Sequence, residues 1–455
     1  MPARRWIVGI AIVALAARVV LALVLSPPIV ADGAGYEASA LRLATTGTYA
    51  FPAWDSDAWT ITEDGHTITD EGYQRFLEQE PDAWLTPGYT LLLAPGAALL
   101  GRGAALELAV RIAQALISIL TATLVYRTAR RFGDVAATVA LLAVALYPPM
   151  ALAPLYLVTE TVYSLAVVAS VLATIRWTER PTWGRAAAIG LTFGLGLLIK
   201  PTFALWAPVA MAIILWRGGM KASTVIGHLL IAGLVASLVM APWWVRNYER
   251  FDRFVMFGTW GAATSLDGIR ADAAGERYLP WEDLGDASVP TDPALVARIA
   301  QLDGSGLTGE AYASAASDLV AAEWRDRFWP TLGRRVRSSV SAAIQPFAVP
   351  GELYGGAPFW AATLAHWALL TGYLAALWQA ALGRRLRSGG EVGTLAFWLV
   401  ASVPLYFIGV SSAVFPQTRY AFPGAWGLAV TAGVLAALIL ERRHVGGAGA
   451  GTRTT

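Results

Sequence analysis

The stretch Thr86-Pro87-Gly88-Tyr89-Thr90-Leu91-Leu92-Leu93-Ala94-Pro95-Gly96-Ala97-Ala98-Leu99-Leu100 decides how the rest of the chain is read. It is apolar, but it carries two prolines and two glycines and is shorter than the roughly 20 residues a helix needs to cross the hydrocarbon. As a crossing it would invert the side of every later connection. As a re-entrant or interfacial helix it leaves them in phase, and the Lys and Arg residues at the connections choose between the two. Ten other segments are predicted to span, at about 6–25, 107–129, 133–150, 160–177, 184–199, 201–216, 223–244, 358–381, 394–415 and 419–440. Segments 184–199 and 201–216 are short and share the Lys200-Pro201 break. With the N-terminus inside, the inner connections carry Arg4 and Arg5; Arg127, Arg130 and Arg131; Arg176, Arg180 and Arg185; Arg217 and Lys221; Arg384, Arg385 and Arg387; Arg442 and Arg443. Between Asp32 and Asp82 the first outer loop is crowded with acids against only Arg42 and Arg75. Counting 86–100 as a span would put Arg127, Arg130 and Arg131 outside, so it is read as non-crossing.

Composition agrees. The 455 residues are 56% hydrophobic and 15% charged, with mean hydropathy +0.52, where a soluble domain is about 45–50% apolar and about 25% charged. That excludes an ordinary cytosolic enzyme and a disordered chain, and a net charge of +2 gives no basic field for a nucleic acid. Without cysteine there are no disulfides or thiolate sites, and His66, His228, His366 and His444 are too scattered for a histidine metal site. The 19 tryptophans suit membrane interfaces. The N-terminal apolar run is too long for a cleaved signal, and no small-x-small site precedes Ser26-Pro27-Pro28, so a retained first span is expected. The predicted fold is an all-α polytopic bundle of about ten (nine to eleven) spans in one domain, 1–455. Two long outer segments, 26–106 and 247–357, are expected to carry juxtamembrane or re-entrant helices. No fixed-period repeat or inverted repeat is evident.

Two carboxylates stand out. Asp32 follows the first span in Pro27-Pro28-Ile29-Val30-Ala31-Asp32, and Glu160 opens the fourth after Tyr147-Pro148-Pro149. Two spans separate them, so both face the outer side, where an acid at the boundary is costly unless partnered or functional. The bland alternatives are an N-cap for a helix over 34–45 and, for Glu160, a structural partner for Arg111. The cations on that side are Lys200, one of two lysines, Arg246 beside Asn247, the single asparagine, Arg419 before Tyr420, and Arg102 and Arg111 flanking the second span. Arg18, inside the first span, reads as a structural ion pair. Singly each cation is explained by snorkelling to headgroups. Gathered on one face, they suit a phosphate carried on a lipid.

In order along the chain, these pieces resemble the GT-C glycosyltransferases, in particular the family-39/83-like group that includes the aminoarabinose transferase of lipid A and protein O-mannosyltransferases. Asp32-Gly-Ala-Gly-Tyr36 with Gly47-Thr-Tyr49 resembles the first-loop acidic motif, and Thr86-Pro87-Gly88-Tyr89 the Pro-Pro-Leu-Tyr-Pro segment. Arg111 through Arg131-Phe132-Gly133 is similar to a span ending Arg-Arg-x-Phe-Gly, and Tyr147-Pro148-Pro149 with Thr159-Glu160 to the second acidic motif. Gly194-Leu195-Gly196 with Lys200-Pro201-Thr202, Pro242-Trp243 with Arg246-Asn247-Tyr248, and Arg419-Tyr420 resemble three later motifs. Lys200 stands where Arg is common and Gly88 where Pro is common. The chain ends soon after Arg443, so the large C-terminal domain of some relatives is not expected.

The resemblance implies transfer of a sugar from a polyprenyl-phosphate donor to a lipid, glycan or protein acceptor, with inversion, at the outer face of a plasma or inner membrane whose inner side holds both termini. Asp32 would be the base, with Glu160 orienting the acceptor or a basic partner. Arg246, Lys200 and Arg419, in that order, with Tyr420 and Arg111, would bind the donor phosphate. Tyr36, Tyr89 and Asn247 would line the cleft, and segment 86–100 would offer a groove for the lipid tail. A divalent metal near Asp32 and Glu160 is allowed but not required. The competing reading, a transporter or flippase of lipid-linked glycans, would place its polar site at the bilayer midplane. A structural scaffold would leave the clustered outer charges without a role.

Overall fold

The computed structural model describes residues 2–52, 56–63, 65–274, 292–307, 309–345, 357–382, 390–414 and 418–450. The basic connection at Arg384, Arg385 and Arg387 and the side chains of Tyr420, Arg442 and Arg443 lie outside the described residues. The chain is helical, with a single two-stranded hairpin among the described residues. Helix α1 (Pro2–Val24) leads into the first long loop, which holds α2 (Asp32–Thr46), the hairpin β1 (Thr60–Thr62) and β2 (Gly65–Thr67), α3 (Asp70–Glu78) and α4 (Gly88–Leu100). The bundle continues through α5 (Ala104–Ala129), α6 (Asp134–Leu146), α7 (Pro148–Leu152), α8 (Glu160–Glu179), α9 (Trp183–Ile199), α10 (Trp206–Arg217) and α11 (Ala222–Phe251). The second long loop holds α12 (Gly261–Ala274), α13 (Pro293–Asp303), α14 (Gly309–Asp326) and α15 (Phe328–Ile344). Helices α16 (Ala357–Ala381), α17 (Gly390–Val414), α18 (Thr418–Ala421) and α19 (Ala425–Ala450) complete the bundle.

Among the described residues seven helices are long and apolar enough to cross a bilayer, and α6 with the α7 segment makes an eighth bent by 61°. Helices α4, α9 and the 201–217 stretch are apolar but shorter. At 1.5 Å per residue the 13 residues of α4 reach about 20 Å, short of a hydrocarbon core of about 30 Å. Eight of the ten expected spans fall on the seven long helices and the bent pair; the other two fall on α9 and the 201–217 stretch, which, like α4, are below crossing length.

Two proline breaks shape the site. A residue before proline is pushed out of the α region, and Tyr147 (ψ 113°) and Lys200 (φ −158°, ψ 121°) are both extended. The first break ends α6 and turns the chain through α7 toward Glu160. The second ends α9 and presents Lys200. Glycine permits the close packing behind them: a Cβ at Gly190 on α9 would come within 2.2 Å of Ala232 O on α11, and one at Gly194 within 2.9 Å of Val239 Cβ. Arg18, on α1, is buried and donates to Ala14 O at 3.1 Å and, at 3.4 Å each, to Val144 O, Ala145 O and Met150 O at the bend. It thus caps the open carbonyls where α6 ends. Among the described residues its partners are carbonyl oxygens rather than the carboxylate the sequence suggested.

Candidate functional site

Asp32 opens α2 rather than capping it. The cap position is Ala31, and Asp32 lies in the first helical turn, where a carboxylate meets the positive end of the helix dipole. Ala31 has φ 51° and ψ −130°, a conformation costing a non-glycine residue about 1–3 kcal/mol. Its N–H is held by His66 O of the hairpin at 2.7 Å, so β2 fixes the kink that aims Asp32. The carboxylate pairs with Arg419 of α18 at 2.9 Å.

Glu160 is 3% exposed and pairs with Lys200 Nζ at 3.4 Å. This is the partner the sequence did not choose, since Arg111 had been the alternative. Thr159 Oγ1 donates to the same carboxylate at 3.3 Å. The segment after Lys200 is fixed by Tyr163 Oη, 2.9 Å from Thr202 Oγ1, and by Tyr406 Oη donating to Thr202 O at 2.6 Å.

Lys200, Pro201 and Thr202 line a cavity of about 270 Å³ together with Tyr36, Trp84 and Trp260. Its walls are mostly apolar, closed on one side by Phe407, Val410 and Val414 of α17. Trp84 and Trp260 stack at 4.4 Å. Their backbones also join, Thr259 N–H to Ala83 O at 2.9 Å and Trp260 N–H to Trp84 O at 3.2 Å, so the two long loops meet over the cavity. Tyr36 ties the two ion pairs together. It lies one turn after Asp32 on α2 and also lines the cavity. Burial raises its phenol far above the ordinary value, and the charges of Asp32 and then Glu160 raise it further.

The expected cleft cations divide. Lys200 is at the cavity, and Arg419 is at Asp32. Arg246 is not a cavity residue: its guanidinium donates to Asp82 O at 2.6 Å, Tyr49 O at 2.8 Å and Asn247 Oδ1 at 2.9 Å, with Trp243 beneath it at 5.1 Å. It fastens the first long loop to α11 through the carbonyls of Asp82 and Tyr49. Asn247, fully buried, accepts from Arg246 and donates to Val255 O. Arg111 donates to Leu155 O at 3.0 Å and Pro27 O at 2.6 Å and pairs with Glu107 at 3.4 Å. It thereby grips the chain just before Glu160 and just before Asp32 at once. Tyr89 lies behind Tyr36, 4.8 Å between ring centroids, and donates to Gln114 Oε1. Tyr420's side chain lies outside the described residues.

Asp82 was not singled out by sequence, and the Thr86-Pro87-Gly88 motif was, without its role. Asp82 accepts from the N–H groups of Phe51 at 3.0 Å and Trp84 at 3.1 Å. Burial pushes its carboxyl up to about 6, against those two bonds and the charges of Arg246 and Arg42. Nothing distinguishes it from the loop's other acids in the sequence. Thr86 donates to Ile199 O at 3.1 Å, and a Cβ on Gly88 would lie 2.6 Å from Leu198 C and O. The Thr86-Pro87-Gly88 motif is thus a dock for the end of α9, directly before Lys200, a role the motif could have signalled.

The divalent metal that the resemblance allows near Asp32 and Glu160, without requiring it, finds both carboxylates already paired. Asp32 and Glu160 are each turned to a cation, and no group of three or more His, Asp or Glu among the described residues is placed to hold a metal ion.

Residues 85–245, about a third of the chain, match the family model described as dolichyl-phosphate-mannose-protein mannosyltransferase. No curated protein matches the sequence. Among solved structures, an oligosaccharyltransferase from Archaeoglobus fulgidus, crystallised with Zn and sulfate, superposes with a TM-score of 0.52 at 15% identity, covering 96% of this chain and 50% of its own. The present chain thus spans about half the length of that enzyme. The ArnT protein from Cupriavidus metallidurans, bound to undecaprenyl phosphate, is similar at a TM-score of 0.41 and 17% identity, over 94% of this chain and 78% of its own. The fold is that of the GT-C membrane glycosyltransferases, and the mannosyltransferase pattern covers α4 through most of α11.

Proposed function

We propose that this chain is a membrane glycosyltransferase that moves a sugar from a polyprenyl-phosphate donor to a hydroxyl of a lipid, glycan or protein acceptor, inverting the anomeric centre. The observation that carries the proposal is that Tyr36, one turn from Asp32 on α2, lines the same cavity as Lys200. An acceptor hydroxyl needs a positioned base, and Asp32 is that base, oriented by Arg419. Charge develops on the leaving phosphate as the glycosidic bond breaks, and Lys200, aimed by Glu160 from an apolar wall, stabilises it. Base and cation on either side of the sugar are what attack opposite the leaving group requires. The apolar walls of α17 suit the first isoprenoid units, so the tail need not leave the bilayer. Arg246 and Arg111 are positioning residues. The positive-inside pattern puts the reaction on the outer face, with both termini cytoplasmic, in a plasma or inner membrane.

The test is purified full-length protein in nanodiscs, offered a panel of polyprenyl-phosphate sugars with candidate acceptors. Acceptor-dependent release of polyprenyl phosphate is expected. Lys200→Ala should raise the donor KM, and Asp32→Asn should abolish transfer while the protein still inserts. An active Asp32→Asn variant, or a donor KM untouched by Lys200→Ala, overturns the corresponding role.

A further inference from the structure

One face of α5 is polar well into the bundle. Glu107, Arg111, Gln114, Ser118 and Thr121 follow at steps of four, three, four and three residues, the spacing of a single helical stripe. The first three are held by one another or by backbone carbonyls. Ser118 and Thr121 instead line a small cavity, of about 10 Å³, shared with Arg18 of α1 and with Thr161 and Ser164 of α8. Polar groups within a span are costly unless partnered, and this cavity gathers five of them. A water needs about 10–15 Å³, so there is room for one and for nothing larger.

The hydrogens on its walls decide what fits. Ser118 Oγ donates to Ala115 O at 2.8 Å, Thr121 Oγ1 to Ile117 O at 2.9 Å and Ser164 Oγ to Glu160 O at 2.7 Å. A hydroxyl has one hydrogen, so these three are spent as donors and have only lone pairs left to offer. Arg18 and Thr161 are the reverse. They are 2 and 4% exposed, and Arg18 Nε and Thr161 Oγ1 are buried without a hydrogen-bond partner among the described residues. Each has a hydrogen to give, and a buried donor left unmade is destabilising. The walls therefore present two donors and three acceptors. A water, which donates two hydrogens and accepts two, matches that set. A halide is larger than a water and only accepts, so it would meet three oxygen lone pairs.

We infer that this cavity is a binding site for one ordered water, which accepts from Arg18 Nε and Thr161 Oγ1 and donates to two of the three hydroxyl oxygens of Ser118, Thr121 and Ser164. The water completes the donor set of Arg18, whose terminal nitrogens are occupied by the carbonyls of Ala14, Val144, Ala145 and Met150. It also joins α1, α5 and α8 at one point. Thr161 and Ser164 directly follow Glu160 at the start of α8, and Phe422, three residues after Arg419, closes the cavity. The elements that carry both ion pairs of the candidate site therefore meet the first span at a single hydrated junction.

The test needs no enzymatic activity. Thermal unfolding of the purified full-length protein in nanodiscs is compared with that of Thr161→Val, which keeps the shape of the side chain and removes its hydroxyl. With a water in place the variant loses one of the water's hydrogen bonds, and its melting temperature should fall by about 1–2 °C. In a dry cavity the hydroxyl has no partner to lose, so an unchanged or raised melting temperature overturns the inference. A crystal structure of the parent, grown from a lipid mesophase in sodium bromide, decides the matter independently of the variant. A density peak within about 2.7–3.2 Å of both Arg18 Nε and Thr161 Oγ1, with no bromine anomalous signal, is expected. No peak would mean a dry cavity and a bromine signal an anion site, and either overturns the inference.

Discussion

Gly88→Ala is the sharpest test of the docking between the first long loop and α9. Gly88 is the first residue of α4, so the substitution gains at most part of the about 1 kcal/mol by which alanine is favoured over glycine inside a helix. Here the added Cβ would lie 2.6 Å from Leu198 C and O, backbone atoms that cannot rotate aside. Ordinary contact starts at 3.4 Å, so α4 and the end of α9 must part by about 0.8 Å (3.4 minus 2.6). Overpacking of this kind costs about 1–3 kcal/mol, which roughly offsets or exceeds the helical gain. The displaced residues are those leading into Lys200, and misplacement by about 1 Å near a reacting centre costs about 100-fold. The expected outcome is a folded protein with a modestly lowered melting temperature and sugar transfer reduced about 10- to 100-fold. Gly96→Ala in the same helix is the control. Its Cβ would be 3.1 Å from Leu106 Cδ1, the end of a flexible side chain, so activity should be close to the parent. Equal behaviour of the two variants, or full activity of Gly88→Ala, would refute the reasoning that α4 sets the position of Lys200.

Arg111→Lys should lower kcat at least tenfold with little change in donor KM, because one ammonium cannot reach both Leu155 O and Pro27 O; a rise in donor KM alone would return Arg111 to phosphate binding. Asp82 gives a pH dependence. Its folded value of about 6 lies above the ordinary 3.8, so the stability it contributes is present below about pH 4 and lost as pH rises through about 6. About two units correspond to about 3 kcal/mol, and thermal unfolding followed from pH 4 to 7 should show this slope in the parent and lose it in Asp82→Asn. A reporter fused after Arg131 should read cytoplasmic; the opposite side would mean that α4 crosses the membrane.

The parts of this architecture written in local sequence were legible. The helices follow from apolar runs, and the breaks at Tyr147-Pro148 and Lys200-Pro201 follow from proline sterics, which is why Glu160 and Lys200 were recognisable as boundary residues. Asp32 was legible as an acid beside a span. What sequence could not supply was the pairing, since Glu160 finds Lys200 rather than Arg111 only once α8 and α9 lie side by side. The partners of Arg246 were hidden for the same reason: a cation near a membrane surface looks free until the carbonyls of Tyr49 and Asp82 are folded against it. The Trp84–Trp260 stack unites two loops separated by most of the bundle, and no local pattern announces it. The kink at Ala31 depends on a hairpin more than thirty residues downstream.

The ion pair between Asp32 and Arg419 joins almost the first loop of the chain to almost its last helix. A chain synthesised and inserted from its N-terminus displays Asp32 while the helix that will carry Arg419 has yet to be made. The same delay applies to Trp260, which meets Trp84 only after α11 has been laid down. The cavity wall from α17 and the Asp32–Arg419 pair are therefore completed last, as the final helices arrive. In a chain made from its N-terminus, the Asp32–Arg419 pair can close only after the final helices have been added.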